Sequence, residues 1–178
     1  MTILDLINGQ GYIARIESQS FVDGEGVRCS IYVSGCPFAC KGCYNKAAQN
    51  FRYGERFNEE VLEEILENCA PDYIDGLSIL GGEPFCNLDT TLRCVRAFRQ
   101  RFGNSKTIWV WSGFLFEYLA SGNSERRAFL ELIDVLVDGP FMAHLYRSNL
   151  PYKGSLNQRI IDVQASLTNQ HLCEYITT

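Results

Sequence analysis

The sequence predicts an α/β protein of about five or six βα units with parallel strands, either an incomplete open barrel or a curved parallel sheet. Two observations lead to this prediction. Short apolar segments alternate with amphipathic helical segments, and a complete eight-unit barrel takes about 250 residues. At roughly 30 residues per unit, the 178 residues of this chain provide five or six units. Because no repeat or Pro/Ser-rich linker interrupts the chain, we expect a single domain over residues 1–178.

The first half of the chain is predicted to hold strands on either side of a helix. The strands are expected at residues 12–17, 28–34 and 77–80. In the second strand Cys29, Ile31 and Val33 share one face, as alternate residues of a strand do. The helix takes residues 61–69, because its apolar side chains recur at helical spacing, and Asn58 provides an N-cap.

The second half continues the alternation of strand and helix. Further strands are expected at residues 107–111, 134–137 and 159–163, and further helical segments at residues 91–102 and 114–133. Asp89 is the predicted N-cap of the first of these helices, and Gly103 ends it. Because strands and helices alternate, we expect parallel pairing through right-handed crossovers.

Composition limits the classes of function. Lysine and arginine total 16 and aspartate and glutamate 21, which gives a net charge of -5 and a pI of about 5.1. An acidic chain lacks the broad positive field that tracks phosphates, so we expect no nucleic acid partner. No apolar run is long enough to cross a membrane, and residues 1–5 do not start like a leader peptide. We therefore expect a soluble, cytoplasmic protein with no membrane partner.

Four successive predicted strands end in small or glycine-containing turns. These turns are Ser34-Gly35, Gly81-Gly82, Ser112-Gly113 and Asp138-Gly139. In parallel α/β folds, ligands bind where the carboxyl ends of strands meet, and glycine lets the backbone approach a ligand closely. Each turn alone is typical of any strand end. Together, with cysteines following the first, they indicate a binding edge.

The chain has eight cysteines, three of which lie close together at Cys36, Cys40 and Cys43. A structural zinc site takes four ligands, usually supplied as two pairs, and the sequence offers no second pair. Cys29 is a candidate fourth ligand, but its alternating neighbours place it on a core face. Three thiolates on one loop suit an iron–sulfur cluster that keeps one iron open for a substrate.

The cysteine spacing and a second motif resemble those of the radical S-adenosylmethionine superfamily, whose incomplete-barrel fold the resemblance implies. Cys-x-x-x-Cys-x-x-Cys follows one strand, and Gly-Gly-Glu-Pro follows the next parallel strand. More narrowly, the chain is similar to the family of activases that act on anaerobic ribonucleoside-triphosphate reductases. The similar blocks are residues 21–28, 33–36, 41–45, 108–113, 135–139 and 154–159.

The resemblance implies which residues would hold the cofactors. Cys36, Cys40 and Cys43 would ligate a 4Fe-4S cluster, one per chain, and form the catalytic centre. S-adenosyl-L-methionine would chelate the fourth iron, and its binding residues would be Gly42, Cys43, Tyr44, Gly81, Gly82 and Glu83. For Glu83, a helix-capping role is an equal alternative to ligand contact.

Expectations also concern three further residues, Asp23, Trp109 and Trp111. The aspartate of related activases that matches Asp23 lies beside a cation near the cofactor, whereas an Asp-Gly pair is also ordinary turn chemistry. Trp111, next to the Gly113 turn, would line the adenosine pocket. Trp109 is expected in the core of a buried strand.

The activity implied is reductive cleavage of S-adenosyl-L-methionine, followed by formation of a glycyl radical on the reductase, the protein partner. The chain has no Gly-x-Gly-x-x-Gly fingerprint, so an external donor such as flavodoxin or ferredoxin would supply the electron. Three alternatives stay open at this point. They are an activase of another glycyl-radical enzyme such as pyruvate formate-lyase, a small-molecule radical enzyme, and a zinc-bearing interaction module without catalysis.

Overall fold

The protein, seen here in a computed structural model, is described over residues 11–177, which form one mixed sheet with helices. The strands are β1 (Tyr12–Ser20), β2 (Arg28–Val33), β3 (Glu55–Arg56), β4 (Gly76–Gly81), β5 (Thr107–Trp111), β6 (Val135–Asp138) and β7 (Arg159–Asp162). The helices are α1 (Glu59–Cys69), α2 (Leu88–Phe102), α3 (Phe116–Ala120), α4 (Ser124–Leu132) and α5 (Val163–Asn169). Short 3-10 turns take Ala47–Gln49, Pro84–Cys86 and Ala143–Leu145.

The sheet is open, and its order is β3-β1-β2-β4-β5-β6-β7. Its four central strands, β2, β4, β5 and β6, pair in parallel. One or two helices lie in each crossover between them. The α/β class, the open sheet and the parallel central strands were all expected from the alternation of strand and helix.

The prediction of parallel strands throughout is wrong at both ends of the sheet. β1 pairs antiparallel with β2 and with β3, and β7 pairs antiparallel with β6. The connection between β1 and β2 is too short for a crossover, which takes a dozen or more residues. The loop before β7 turns back on itself through a bridge between Tyr146 and Ser155. The described part of the chain therefore has three parallel crossovers, not five or six units.

The helices cover one face of the sheet and bury the main core. Alternate strand residues, among them Cys29, Ile31, Ile79 and Val110, pack there against the helices. The opposite face carries a smaller cluster of Trp109, Val135 and Val137, against which Trp111, Tyr152, Ile160 and Tyr175 pack. Loops rather than helices lie over this second face, so it is the face from which the strand ends can be reached.

The helix ends follow the predicted signals except in one case. Asn58 caps α1 by accepting a hydrogen bond from the Val61 amide at 2.9 Å, and Gly103 ends α2 with a φ of 55°. The N-cap of α2 is Asn87, while Asp89 lies in the first turn. The acid at 89 therefore complements the positive end of the helix dipole instead of capping it.

No helix in residues 11–177 has both the length and the apolar character needed to cross a membrane. Residues 1–5, which carried the expectation about a leader peptide, lie outside the described part of the chain.

Candidate functional site

The four glycine-containing turns lie together at one edge of the sheet. β2, β4, β5 and β6 are parallel neighbours, so their carboxyl ends point the same way. We call the loops that follow them, residues 34–54, 81–87, 112–115 and 139–158, the strand-end edge. The predicted convergence of these turns is confirmed, and every predicted ligand-binding residue after β2 and β4 belongs to this edge.

The cysteine loop, residues 35–44, leaves β2 and is fastened at its start. The Gly35 amide donates to the Ala48 carbonyl at 2.7 Å, and the Cys36 amide donates to the Gln49 carbonyl at 3.2 Å. Within the loop, the Cys43 amide donates to the Cys40 carbonyl at 3.1 Å. This turn places Cys40 and Cys43 on neighbouring corners of one short segment.

All three thiols of the loop are free and partly buried. Burial is the main cause that raises the pKa of Cys36, and the charges of Glu83, Cys40 and Cys43 act in the same direction. In residues 11–177 the structure gathers no group of three His, Cys, Asp or Glu side chains that could hold a metal ion. The donor set nevertheless fits an iron–sulfur cluster, since three thiols on one loop are the ligand type that such clusters take.

The five remaining cysteines lie outside the cysteine loop, and Cys173, near the end of the described chain, is partly buried. Cys29, Cys69 and Cys94 are buried in the core, which confirms the core position expected for Cys29. Cys86, at the end of the turn that follows β4, is partly buried, and burial raises its pKa to about 11. The charges of Glu83 and Cys36 add to this shift, so Cys86 is the scattered cysteine that faces the site.

The Gly81–Pro84 turn is hydrogen-bonded to the start of the cysteine loop. The Gly82 amide donates to the Val33 carbonyl at 2.7 Å, and the Glu83 amide donates to the Gly35 carbonyl at 2.8 Å. A Cβ at position 82 would stand 2.7 Å from the Gly35 carbonyl oxygen. Glycine is needed at position 82 because two strand exits touch there, a reason that is independent of any ligand.

The Glu83 side chain has the capping role that was one of its two alternatives. It is 1% exposed, and one carboxylate oxygen accepts from the Phe85 amide at 3.0 Å and the Ser112 hydroxyl at 2.9 Å. The other oxygen accepts from the Gly113 amide at 2.8 Å. Burial raises the pKa of Glu83 to about 7, while these donors oppose the shift. The carboxylate thus joins the turns after β4 and β5.

Asp23 lies over the second face of the sheet. It is 8% exposed, and its Oδ2 atom accepts from the Ser20 hydroxyl at 2.8 Å and the Tyr32 hydroxyl at 2.9 Å. Its carbonyl accepts from the Ser78 hydroxyl at 2.5 Å. These contacts fasten the β1–β2 loop onto the sheet, a structural role beyond ordinary turn chemistry.

The aromatic residues predicted near the site take different positions. Trp109 is buried, as expected, and Trp111 is half-buried on the second face, where its indole donates to the Tyr152 carbonyl at 2.7 Å. Tyr44 projects fully into solvent. Trp111 therefore lies on the face that leads to the strand-end edge, and Tyr44 is exposed on the cysteine loop.

Sequence analysis did not predict the contacts that the cysteine loop makes with two other loops. A Cβ at Gly42 would lie 3.7 Å from both Ala143 and Phe141 of the loop after β6. Phe38 packs edge-on against Phe114, with ring centroids 4.9 Å apart. Both contacts join residues that are far apart in sequence, and a local sequence pattern cannot predict such contacts. The cysteine loop is therefore held between the loops that follow β5 and β6.

Comparison with known proteins gives one matching domain family and several relatives that share one name. Residues 22–161 match the family described as "4Fe-4S single cluster domain". The chain is 37% identical over 143 residues to the anaerobic ribonucleoside-triphosphate reductase-activating protein of Haemophilus influenzae, covering 78% of this chain and 90% of the relative. It is 36% identical over 141 residues to the protein of that name from Escherichia coli, covering 77% and 89%. The phage T4 protein of that name is 34% identical over 148 residues, covering 82% and 90%.

Proposed function

Because this chain belongs to the family of anaerobic ribonucleoside-triphosphate reductase-activating proteins and to the 4Fe-4S single cluster domain family, we propose that it activates such a reductase. The relatives act on that reductase by name, and nearly nine-tenths or more of each relative is matched by this chain. The enzyme is proposed to be a radical S-adenosyl-L-methionine oxidoreductase, and its product is a glycyl radical on the reductase.

Cys36, Cys40 and Cys43 are the proposed ligands of the 4Fe-4S cluster. They are free, partly buried and on one loop at the strand-end edge. They would hold a cluster that would provide one electron to the sulfonium of S-adenosyl-L-methionine, and this chemistry would yield methionine and the radical that removes a Cα hydrogen from a glycine of the reductase. Thiols must lose their protons to bind iron, so the raised pKa of Cys36 makes assembly favour higher pH.

The proposed S-adenosyl-L-methionine site lies between the cysteine loop and the Gly81–Pro84 turn. The amides of Gly82 and Glu83 already donate to the Val33 and Gly35 carbonyls, so the turn offers carbonyl oxygens, which accept from an ammonium group. The buried Glu83 carboxylate orients this turn through Gly113 instead of reaching the ligand. Gly42, Cys43 and Tyr44 form the opposite side, and Gly42 faces Ala143 and Phe141 of the loop after β6.

The observation that carries the proposal is the hydrogen bond from the Glu83 amide to the Gly35 carbonyl, 2.8 Å long. Gly35 directly precedes Cys36, so the loop that would hold the cluster and the turn that would hold the ligand are one connected unit. A ligand bound at this edge can therefore contact both the cysteine loop and the Gly81–Pro84 turn.

The test is to mix the reduced, iron-loaded protein with S-adenosyl-L-methionine and an anaerobic ribonucleoside-triphosphate reductase. Electron paramagnetic resonance should then detect a glycyl doublet on the reductase. Iron and acid-labile sulfide should be near four of each per chain, about the content of one cubane cluster. One zinc per chain and no sulfide would reject the proposal, as would a glycyl signal on pyruvate formate-lyase alone.

A further inference from the structure

The strand-end edge has the opposite charge to the chain as a whole. The chain carries a net charge of -5. The loops of the edge contain, among other cations, Lys41, Lys46, Arg147 and Lys153. Their acidic residue is Glu83, which is 1% exposed and so adds little negative charge to the surface. Within the described residues, the positive charge at this edge is therefore not balanced by acids of the same loops.

The cations surround the cysteine loop. Lys41 and Lys46 are exposed on the segment that carries the cysteines, and Arg147 is exposed on the loop after β6. These two loops touch, since a Cβ at Gly42 would lie 3.7 Å from Ala143. The positive residues therefore form one surface next to the proposed cluster site.

Acidic side chains at the margin of the loops cancel only part of this charge. Glu55 of β3 is followed directly by Arg56, so this strand adds no net charge. Arg159 forms ion pairs with both Glu117 and the buried Asp138. These three residues leave one net negative charge, fewer than the cations of the loops.

From this charge distribution we infer that the strand-end edge is the docking surface for an acidic one-electron carrier protein. The inference rests on the proposed function, because a cluster at Cys36, Cys40 and Cys43 must receive one electron from outside the chain. The carrier gives up that electron and the cluster accepts it, with no bond broken and no proton moved. The cysteine loop lies at the surface here, so docking at this edge shortens the path.

The charge pattern also explains why the carrier would dock here and not elsewhere. An acidic protein is repelled by the net negative charge of the whole chain and attracted by the cations of this edge. Complementary charge of this kind steers and orients a transient partner more than it adds affinity. A contact dominated by charge suits a partner that must leave after each electron.

The test uses charge reversal at two exposed cations outside the proposed ligand-binding residues. Lys46→Glu and Arg147→Glu are combined, and the matched control combines Arg96→Glu and Arg127→Glu on the helical side, which changes the net charge equally. The dissociation constant for flavodoxin is measured on the cluster-loaded proteins by titrating flavin fluorescence. At low ionic strength the edge variant should bind about ten-fold more weakly, and the control should change by less than about two-fold. Raising the salt should shrink the difference.

A second readout separates docking from chemistry. Formation of 5'-deoxyadenosine is measured with reduced flavodoxin and with photoreduced 5-deazaflavin, a reductant that needs no protein docking. The edge variant should be slow only with flavodoxin. An unchanged dissociation constant, equal slowing with both reductants, or a loss confined to the glycyl radical on the reductase would overturn the inference. If the native protein forms no 5'-deoxyadenosine with either reductant, the proposed function fails, while the flavodoxin titration still decides the docking surface.

Discussion

Glu83 and Gly113 are joined by a hydrogen bond of 2.8 Å from the Gly113 amide to the buried carboxylate, across 30 positions of sequence. The same carboxylate accepts from Ser112 and Phe85. One side chain therefore fastens the turn after β4 to the turn after β5. Since the first of these turns is also bonded to the cysteine loop, Glu83 organises the site without needing to touch a ligand.

Glu83→Gln should destabilise the fold by about 1–3 kcal/mol at pH 8, where the native carboxylate is ionised and accepts from all three donors. The glutamine amide keeps one acceptor oxygen and has an NH2 donor in place of the other. In either orientation this NH2 group faces a donor, either the Gly113 amide or the Ser112 hydroxyl and the Phe85 amide. A buried N–H or O–H is therefore left without an acceptor. Urea unfolding measures the change. Glu63→Gln is the matched control, because Glu63 is an exposed partner of Arg101 and should change stability by less than about 1 kcal/mol. Equal effects of the two substitutions would contradict the role of Glu83.

Glu83 should also make stability depend on pH. Its pKa in the folded protein is raised by burial to about 7 from an ordinary value of 4.5. Between these values the folded state keeps the proton and the unfolded state loses it. The stabilisation is therefore complete below pH 4.5 and is lost as the pH rises through 7, by about 3 kcal/mol in total.

The measurement is the difference in unfolding free energy between the native protein and Glu83→Gln at several pH values from 4.5 to 8. The native protein should lose stability relative to the variant as the pH rises. A difference that stays constant over this range would show that the carboxyl group is already ionised in the folded state at low pH.

Gly82→Ala should lower the free energy of unfolding more than the same substitution at a glycine that has no close neighbours. The new Cβ would stand 2.7 Å from the Gly35 carbonyl oxygen, and the two strand exits must move apart, at about 2–3 kcal/mol. Gly103→Ala is the control, since φ is +55° there and no atom lies within 4 Å of a built Cβ. It should cost about 1 kcal/mol from backbone strain alone. The reverse order in thermal unfolding would refute the packing argument.

The parallel centre of the fold was predictable because its signals are local. Apolar alternation marks strands such as β4 and β5, and the amphipathic spacing of α1 and α2 marks the crossovers between them. The glycine turns after these strands then follow as neighbours at one edge. The candidate site was located from the sequence for this reason, and the spacing of Cys36, Cys40 and Cys43 predicts its chemistry.

The rest of the fold depends on contacts that no local pattern contains. Apolar alternation predicts that β1 and β7 are strands but does not predict their direction. The short β1–β2 connection makes β1 antiparallel to β2, and the folded-back loop before β7 makes β7 antiparallel to β6. Glu83 could be foreseen as a cap, but its bonds to Ser112 and Gly113 come from a different strand end. Phe141 and Ala143, beside Gly42, belong to a loop without any periodic signal.

Cys40→Ala should abolish 5'-deoxyadenosine formation and lower the iron content, because the loop then offers two thiolates instead of three. Cys86→Ala is the sharpest control, since Cys86 is partly buried and electrostatically coupled to Cys36 yet lies outside the proposed ligand set. Cys94→Ala, in the core, tests a buried thiol. Both controls should keep nearly native iron and activity when folding is verified by circular dichroism. If Cys86→Ala lost iron as Cys40→Ala does, the cluster would use a thiol from the turn after β4, and the proposed open iron would be closed by the protein itself.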